Sequence, residues 1–500
     1  SYDRALAARP GFAEAHGNKG LAHADIDRHD LAAADFERML ESNPDADYAP
    51  GALAHSRMHC CDWRSVDADR RRLTEGVRAG KRVTHPFPLL ALTDSVEDQL
   101  ACARIWTRDK FPPGAPLWRG ERYRHEKIRI AYLSADFHDH ATAFLAAGMF
   151  ERHDRKRFET TAISFGPEKP GPMRDRLKAA FGRFVDARNK SDGEVARSLR
   201  DMEIDIAVDL KGFTKDARTG ILALRPAPVQ VNYLGYPGTM GAEFIDYILA
   251  DRTVISDEHA AFYAEHVVHL PGSYQANDRT RRIGARAPSC GEAGLPERAF
   301  VFCSFNSSYK IVPAMFDSWM RLLAGVDGSV LWLLSGNPAT KDNLRREAET
   351  RGIAGERLVF ARHVPVEDHL ARHRLADLFL DTLPCNAHTT ASDALWTGLP
   401  VLTCLGNAFA ARVGASLVAT AGLPELATGS MDEYEALALK LARDTAALAA
   451  LKDRLARNRE SCALFDTDRQ VRHIEAAYKT MWEISQRGQK PRGFAVESVS

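Results

Sequence analysis

Short apolar runs that read as buried strands recur between Ile128 and Gly406, separated by stretches of helical spacing, and the series starts twice. The first series holds IRIAYLSADF from Ile128, FETTAISFG (Phe158–Gly166), Ile204–Leu210, VQVNYLGYPGT (Val229–Thr239) and FIDYILAD (Phe244–Asp251). Helices are expected from about Thr142 and over Arg174–Phe181. A turn-rich stretch, Asn277–Leu295, interrupts the pattern. It then resumes with AFVFCSFN (Ala299–Asn306), SVLWLLSG (Ser329–Gly336), RLVFARHV (Arg357–Val364), ADLFLDT from Ala376 and PVLTCLG (Pro400–Gly406). Strands alternating with helices predict a parallel sheet covered on both faces, and two such series predict two Rossmann-like domains. Ligands of such sheets belong at the carboxyl ends of the strands.

The segment ahead of Ile128 has a different pattern. Tyr2 and Phe36, Leu6 and Leu40, and Pro10 and Pro44 match at the 34-residue period of the tetratricopeptide repeat (TPR), a helix pair closed by proline. The boundaries expected are a truncated repeat array over 1–60, a helical linker over 61–125 ending in FPPGAP (Phe111–Pro116), and a first α/β domain over 126–285. A second α/β domain with a mostly helical end, Met431–Trp482, covers 286–485, and 486–500 reads as a disordered tail. A stable array needs about three repeats, and the chain opens inside a helical pattern, so more repeats are expected before Ser1.

Lys+Arg and Asp+Glu balance at 67 each, and no global positive field argues for nucleic acid. No apolar run approaches the ~18 residues of a membrane span. The eight cysteines (Cys60, Cys61, Cys102, Cys290, Cys303, Cys385, Cys404, Cys462) form no CxxC, which favours reduced thiols and a cytoplasmic setting over a disulfide framework or a zinc site.

Four places could carry chemistry. In Ala376–Pro400 the strand ends in a polar loop with Cys385, Asn386 and His388, and Thr389 and Thr390 open a helix closed by Gly398 and Pro400. Strand, polar loop and helix N-terminus together suit a diphosphate. Thr390 could equally be a plain N-cap, with Asp393 completing a capping box. Lys310, in SFNSSYK after Asn306, stands at a strand's carboxyl end, where an ammonium can stabilise a departing nucleotide. His140 in ADFHDHAT is a candidate general base or a capping histidine. Asp136, His138 and Asp139 beside it are too tightly spaced for all to face one ion. In LGYPGT, Gly235 and Gly238 flank Pro237, which fits either close approach to a ligand or an ordinary β-turn.

Taken in order, ALRPAPVQVNYLGYPGTMGAEFIDY, FNSSYK, SVLWLL and LDTLPCNAHTTASDALWTGLPVLT resemble the O-GlcNAc transferase and SPINDLY-type family over nearly the whole chain. The resemblance implies TPR repeats ahead of a two-domain GT-B catalytic region. It implies an inverting, metal-independent transfer from a nucleotide sugar to Ser/Thr hydroxyls of proteins. No cofactor is implied beyond the donor, and protein acceptors would be recruited by the repeat surface. By that resemblance Lys310 binds the diphosphate, Thr389 and Thr390 hold its phosphates, and Asp393 binds the ribose. His388 lies beside diphosphate and sugar, and His369 packs near the nucleotide. His140 matches a histidine once proposed as base, and Gly235 and Pro237 match a loop closing over the sugar. Asn306 and Cys385 complete the expected donor-binding set. Ser307 and Val366 depart from the eukaryotic pattern, which has Gln and Lys there. The large insertion of animal members is missing, so the chain looks like a bacterial form. His388 in CNAHTT favours UDP-GlcNAc over the GDP-fucose of plant SPINDLY-type members. A GDP-fucose enzyme, a sugar-nucleotide epimerase or hydrolase, and a non-catalytic scaffold stand as the alternatives.

Overall fold

In the computed structural model, which describes residues 2–112 and 114–498, the chain forms two compact units. The ends of the expected array and tail (Ser1, Val499, Ser500) and Pro113 of the linker turn lie outside the described residues. One unit comprises the chain up to Cys102 together with Arg282–Arg459, and the other comprises Ala103–Arg281 together with the chain from Glu460.

The second of these is built on an all-parallel sheet of eight strands. They are β1 (Ile128–Ser134), β2 (Phe158–Ser164), β3 (Arg183–Asp186), β4 (Ile206–Asp209), β5 (Val229–Asn232), β6 (Tyr247–Ala250), β7 (His266–His269) and the C-terminal β14 (Phe494–Ala495). Their order is β14-β7-β6-β5-β4-β1-β2-β3. In β1 every residue from Ile130 to Ser134 is buried, as expected of a strand with helices on both faces. The helix Thr467–Gln486 packs against the helix Ala141–Glu151 and against β5, so the end of the chain completes this unit. The tail expected to be disordered instead carries β14, which pairs with β7 through Phe494 and Val268. Of the run Val229–Thr239, read from sequence as one strand, only Val229–Asn232 is strand. Leu234 takes φ +71°, which turns the chain away from the sheet.

The other unit has six parallel strands: β8 (Val301–Ser304), β9 (Val330–Leu334), β10 (Leu358–Ala361), β11 (Leu378–Leu380), β12 (Val401–Cys404) and β13 (Ala427–Thr428). Their order is β10-β9-β8-β11-β12-β13. Counted from its own first strand, the six-stranded sheet has the doubly wound order 3-2-1-4-5-6 and the eight-stranded sheet has the same order extended by two strands, with the reversal at β8/β11 in one and β1/β4 in the other.

The helices Ala13–Asp25, His29–Ser42 and Ala49–His59 pack in succession within the six-stranded unit. Their shared core is Ala32, Phe36, Leu40, Ala46, Ala49 and Leu53. Gly20 lets the first two meet closely, since a Cβ there would lie 2.9 Å from Phe36 Cε1. This is the helix-pair unit that the 34-residue period predicts.

Candidate active site

At the switch point of the six-stranded sheet, β8 and β11 are neighbours, with Leu378 opposite Phe302 and Phe379 opposite Cys303. Two connections leave it there. One runs from β8 through Asn306 to the short turn Ser308–Lys310, and the other from β11 through Asp381–His388 into the helix Thr389–Trp396. The Lys310 ammonium crosses between them and donates to the Asn386 carbonyl at 2.7 Å. Asn306 Nδ2 donates to Thr382 Oγ1 at 2.8 Å, while its Oδ1 accepts from the Thr390 hydroxyl at 2.5 Å.

Asp381, which the sequence reading did not single out, organises the second connection. It is 1 % exposed. Its Oδ1 accepts from the Thr382 N–H at 2.7 Å and the Ala387 N–H at 2.6 Å, and its Oδ2 accepts from the Thr403 hydroxyl at 2.7 Å. Burial pushes its carboxyl up to about 6, opposed by those bonds and by Lys310. An acid directly after a wholly apolar strand is the signal that could have revealed it.

The helix Thr389–Trp396 begins at His388, and no side chain caps it. Thr390 is therefore not the N-cap, and its hydroxyl is turned to Asn306 instead. The leading N–H groups and the positive dipole end remain available to an anion. Burial, and then Lys310, drives the His388 imidazole far below its ordinary value, so the ring is neutral, and its Nε2 has no hydrogen-bond partner. Cys385 is buried, and burial raises its thiol against the pull of Lys310.

His369, on the helix Val366–Arg372, faces Asp393 with Nε2 4.0 Å from Oδ2. Burial pushes its imidazole down to about 2. Its Nδ1 is bonded to the Arg372 guanidinium, which can only donate, so the neutral ring carries its proton on Nε2, toward Asp393. Arg372 lies over the Phe305 ring at 4.6 Å, and burial lowers it to about 10. Lys310, Asn306, Cys385, His388, Thr390, Asp393 and His369 are thus brought together by two adjacent strands and one flanking helix. Thr389 opens the same helix.

In the eight-stranded unit the switch point carries other residues. His140 is the N-cap of the helix Ala141–Glu151, and its Nδ1 accepts from the Thr142 N–H at 3.2 Å. Burial lowers its imidazole, opposed by Asp136, whose Oδ2 is 3.4 Å from Nδ1. Asp136, set aside as a metal ligand on spacing, pairs with the buried Lys211 at 2.7 Å across the β1/β4 gap. Neither partner of that ion pair was anticipated in this role. Gly235 has a backbone reason to be glycine, because a Cβ would lie 1.9 Å from the Leu210 carbonyl oxygen at the end of β4. Pro237 is buried in the same loop, where the Gly238 carbonyl accepts from Asn232 Nδ2 at 3.1 Å. Among the described residues no helix is long and apolar enough to cross a membrane.

This arrangement has counterparts in known proteins. A probable UDP-N-acetylglucosamine–peptide N-acetylglucosaminyltransferase of Arabidopsis thaliana, SEC, is 33% identical over 468 residues, 89% of this chain and 48% of its own. The UDP-N-acetylglucosamine–peptide N-acetylglucosaminyltransferase of Caenorhabditis elegans is 27% identical over 86% of this chain and 48% of its own. The chain spans about half the length of these curated relatives. A solved structure of an O-GlcNAc transferase mutant from Thermobaculum terrenum superimposes with a TM-score of 0.81 at 29% identity, covering 97% of this chain and 94% of that one. That likeness takes in the helical N-terminus and both sheets, so the fold is a GT-B pair preceded by TPR-type helices. The sequence pattern of glycosyl transferase family 41 matches residues 117–285 and 287–474, which include both switch points. The chain belongs to glycosyl transferase family 41.

Proposed function

We propose that the chain transfers N-acetylglucosamine from UDP-GlcNAc to Ser/Thr hydroxyls of proteins, with inversion. The observation that carries this reading is the convergence of Lys310, Thr390 and the uncapped helix start at the β8/β11 switch point. A diphosphate there would meet an ammonium, a hydroxyl and main-chain N–H groups. His388, neutral with a free Nε2, can accept from a sugar hydroxyl or amide. Asp393 accepts from the ribose, and the His369 Nε2–H faces that carboxylate at 4.0 Å, an electrostatic neighbour beyond hydrogen-bond distance.

In the step proposed, the acceptor hydroxyl oxygen attacks the anomeric carbon from the face opposite the diphosphate, and its proton is released to solvent or to a phosphate oxygen of the departing UDP. The bond from that carbon to the β-phosphate oxygen breaks, and UDP leaves with the electron pair. Lys310 and the helix end stabilise the growing charge, which is where fixed donors are worth most. From the family resemblance, His140 is kept as the candidate catalytic histidine. With Nδ1 bound to Thr142 N–H, its neutral ring carries the proton on Nε2 and acts there as a donor. Service as a base would require the ring to leave its cap. Protein acceptors are recruited by the TPR-type helices.

The test is a thermal-shift panel with UDP, UDP-GlcNAc, GDP and GDP-fucose, followed by transfer to a Ser/Thr peptide. A ligand at 100 times its Kd adds roughly 2.7 kcal/mol of stability. Stabilisation by the uridine pair and labelling of the peptide are expected. Stabilisation by the guanosine pair alone would move the assignment to fucose, and no response to any of the four would leave a scaffold.

A further inference from the structure

The turn that carries Lys310 is fastened to the helical array. The helix Ala49–His59 leaves its last carbonyls without partners in its own helix, as every helix does. The His59 carbonyl accepts from the Ser308 hydroxyl at 2.7 Å and from the Thr340 hydroxyl at 2.8 Å. The Cys60 carbonyl accepts from Asn343 Nδ2 at 2.8 Å. In the other direction the Cys61 thiol, 1 % exposed as a residue, donates to the Ser308 carbonyl at 3.7 Å. Tyr309 fills the space between, its ring 5.2 Å from His55, 5.0 Å from His59 and 5.9 Å from Phe87. His59 is stacked on His29 at 3.7 Å, which carries the contact back to the preceding helix. Lys310 is the next residue in the turn, with its N–H bonded to the Ser307 carbonyl.

We propose that Ser308 and Tyr309 are positioning residues through which the helix Ala49–His59 sets the place of Lys310. The helical array is then part of the donor site as well as a surface for acceptors. The inference rests on the reading of Lys310 as a ligand of the donor diphosphate. Coupling between sites is reciprocal. A diphosphate that fixes Lys310 must tighten the helix end, and a loosened helix end must weaken the diphosphate.

The experiment is amide hydrogen exchange on the full chain with and without saturating UDP, with UDP affinity measured by calorimetry. UDP should slow exchange across residues 55–62. Ser308→Ala should raise the UDP Kd about tenfold, the scale of one lost hydrogen bond, and abolish that protection. Ser308→Thr, which keeps a hydroxyl, should restore both. A residue of merely structural importance would lower the melting temperature without severing UDP from the helix. UDP binding that leaves exchange at 55–62 unchanged overturns the proposal, as does a Ser308→Ala variant with unchanged Kd and protection. If that variant does not fold, the exchange pattern of the unaltered chain decides alone. Failure of the unaltered chain to bind UDP at all overturns the donor reading and this inference with it.

Discussion

The ammonium of Lys310 and the carbonyl of Asn386 are 2.7 Å apart and belong to the connections after β8 and β11, the pair of strands where the sheet reverses its order. A main-chain carbonyl is a neutral acceptor, and a diphosphate is a better one. The lysine is thus already aimed across the opening into which an anion would fit.

Lys310→Ala should fold with little change in melting temperature, since the bond lost at 2.7 Å is to a neutral main-chain carbonyl. Transfer should fall by roughly 10²–10³ in kcat, the usual cost of removing a donor that meets developing charge. Initial rates with UDP-GlcNAc and a peptide check this, and unchanged rates would sink the leaving-group role.

Asp381→Asn should alter the pH dependence of stability. The folded carboxyl titrates at about 6, above its ordinary 3.8, so the native chain binds this proton more tightly than the unfolded chain. Stability then falls as pH rises between about 4 and 6, by about 3 kcal/mol for this group, and stays lower above that window. Denaturation midpoints at pH 4, 5, 6 and 7 should show the wild-type chain losing ground to the Asn variant over that interval. Parallel curves would show that Asp381 ionises as it does in water.

Acid should weaken the six-stranded unit. His55 is pushed down to about 3, His85 and His373 to about 4 and His369 to about 2, and His59 and His388 are far below their ordinary value, each mainly by burial. The unfolded chain takes up these protons below about 6.5 and the native chain does not. Stability is therefore lost as pH falls through that value, by roughly 1.4 kcal/mol per histidine per pH unit. Tryptophan fluorescence in urea at pH 7.5, 6.5 and 5.5 should show the midpoint dropping, and a flat midpoint would refute the neutral, buried state of these rings.

Gly235→Ala should damage the eight-stranded unit by roughly 3 kcal/mol or more, because its Cβ would meet the Leu210 carbonyl oxygen at 1.9 Å and neither backbone can yield cheaply. Stabilisation by UDP, which the proposal assigns to the other unit, should survive. Exchange protection in β4 and β5 measures the first effect and calorimetry the second. A Gly235→Ala chain with intact protection would show that the loop has room.

The sequence made plain what is local. Apolar residues marked β1, β2 and β8 to β12, because strands covered on both faces are mostly apolar. β3 escaped notice because RFVD is half exposed at a sheet edge, and β14 because two residues after a proline carry no periodicity. Lys310, His388 and Thr390 could be singled out since each follows a strand within ten residues. The Asp136–Lys211 pair could not, since its importance lies in a partner 75 positions away, and Asp381, though it directly follows a strand, takes its role from partners such as Thr403. The same holds for Ser308, whose acceptor is 249 residues away.

Neither unit is a continuous stretch of chain, and this bears on how the protein is made. Residues Ala103–Arg281 emerge from the ribosome without the helix Thr467–Gln486 and β14 that finish their unit. At ~5–20 residues per second, roughly ten to forty seconds pass before that closing segment is synthesised. Through that interval β7 presents an open edge and the faces of β5 and the helix Ala141–Glu151 lack their cover, so the nascent unit exposes strand edge and apolar surface until the helix Thr467–Gln486 and β14 arrive.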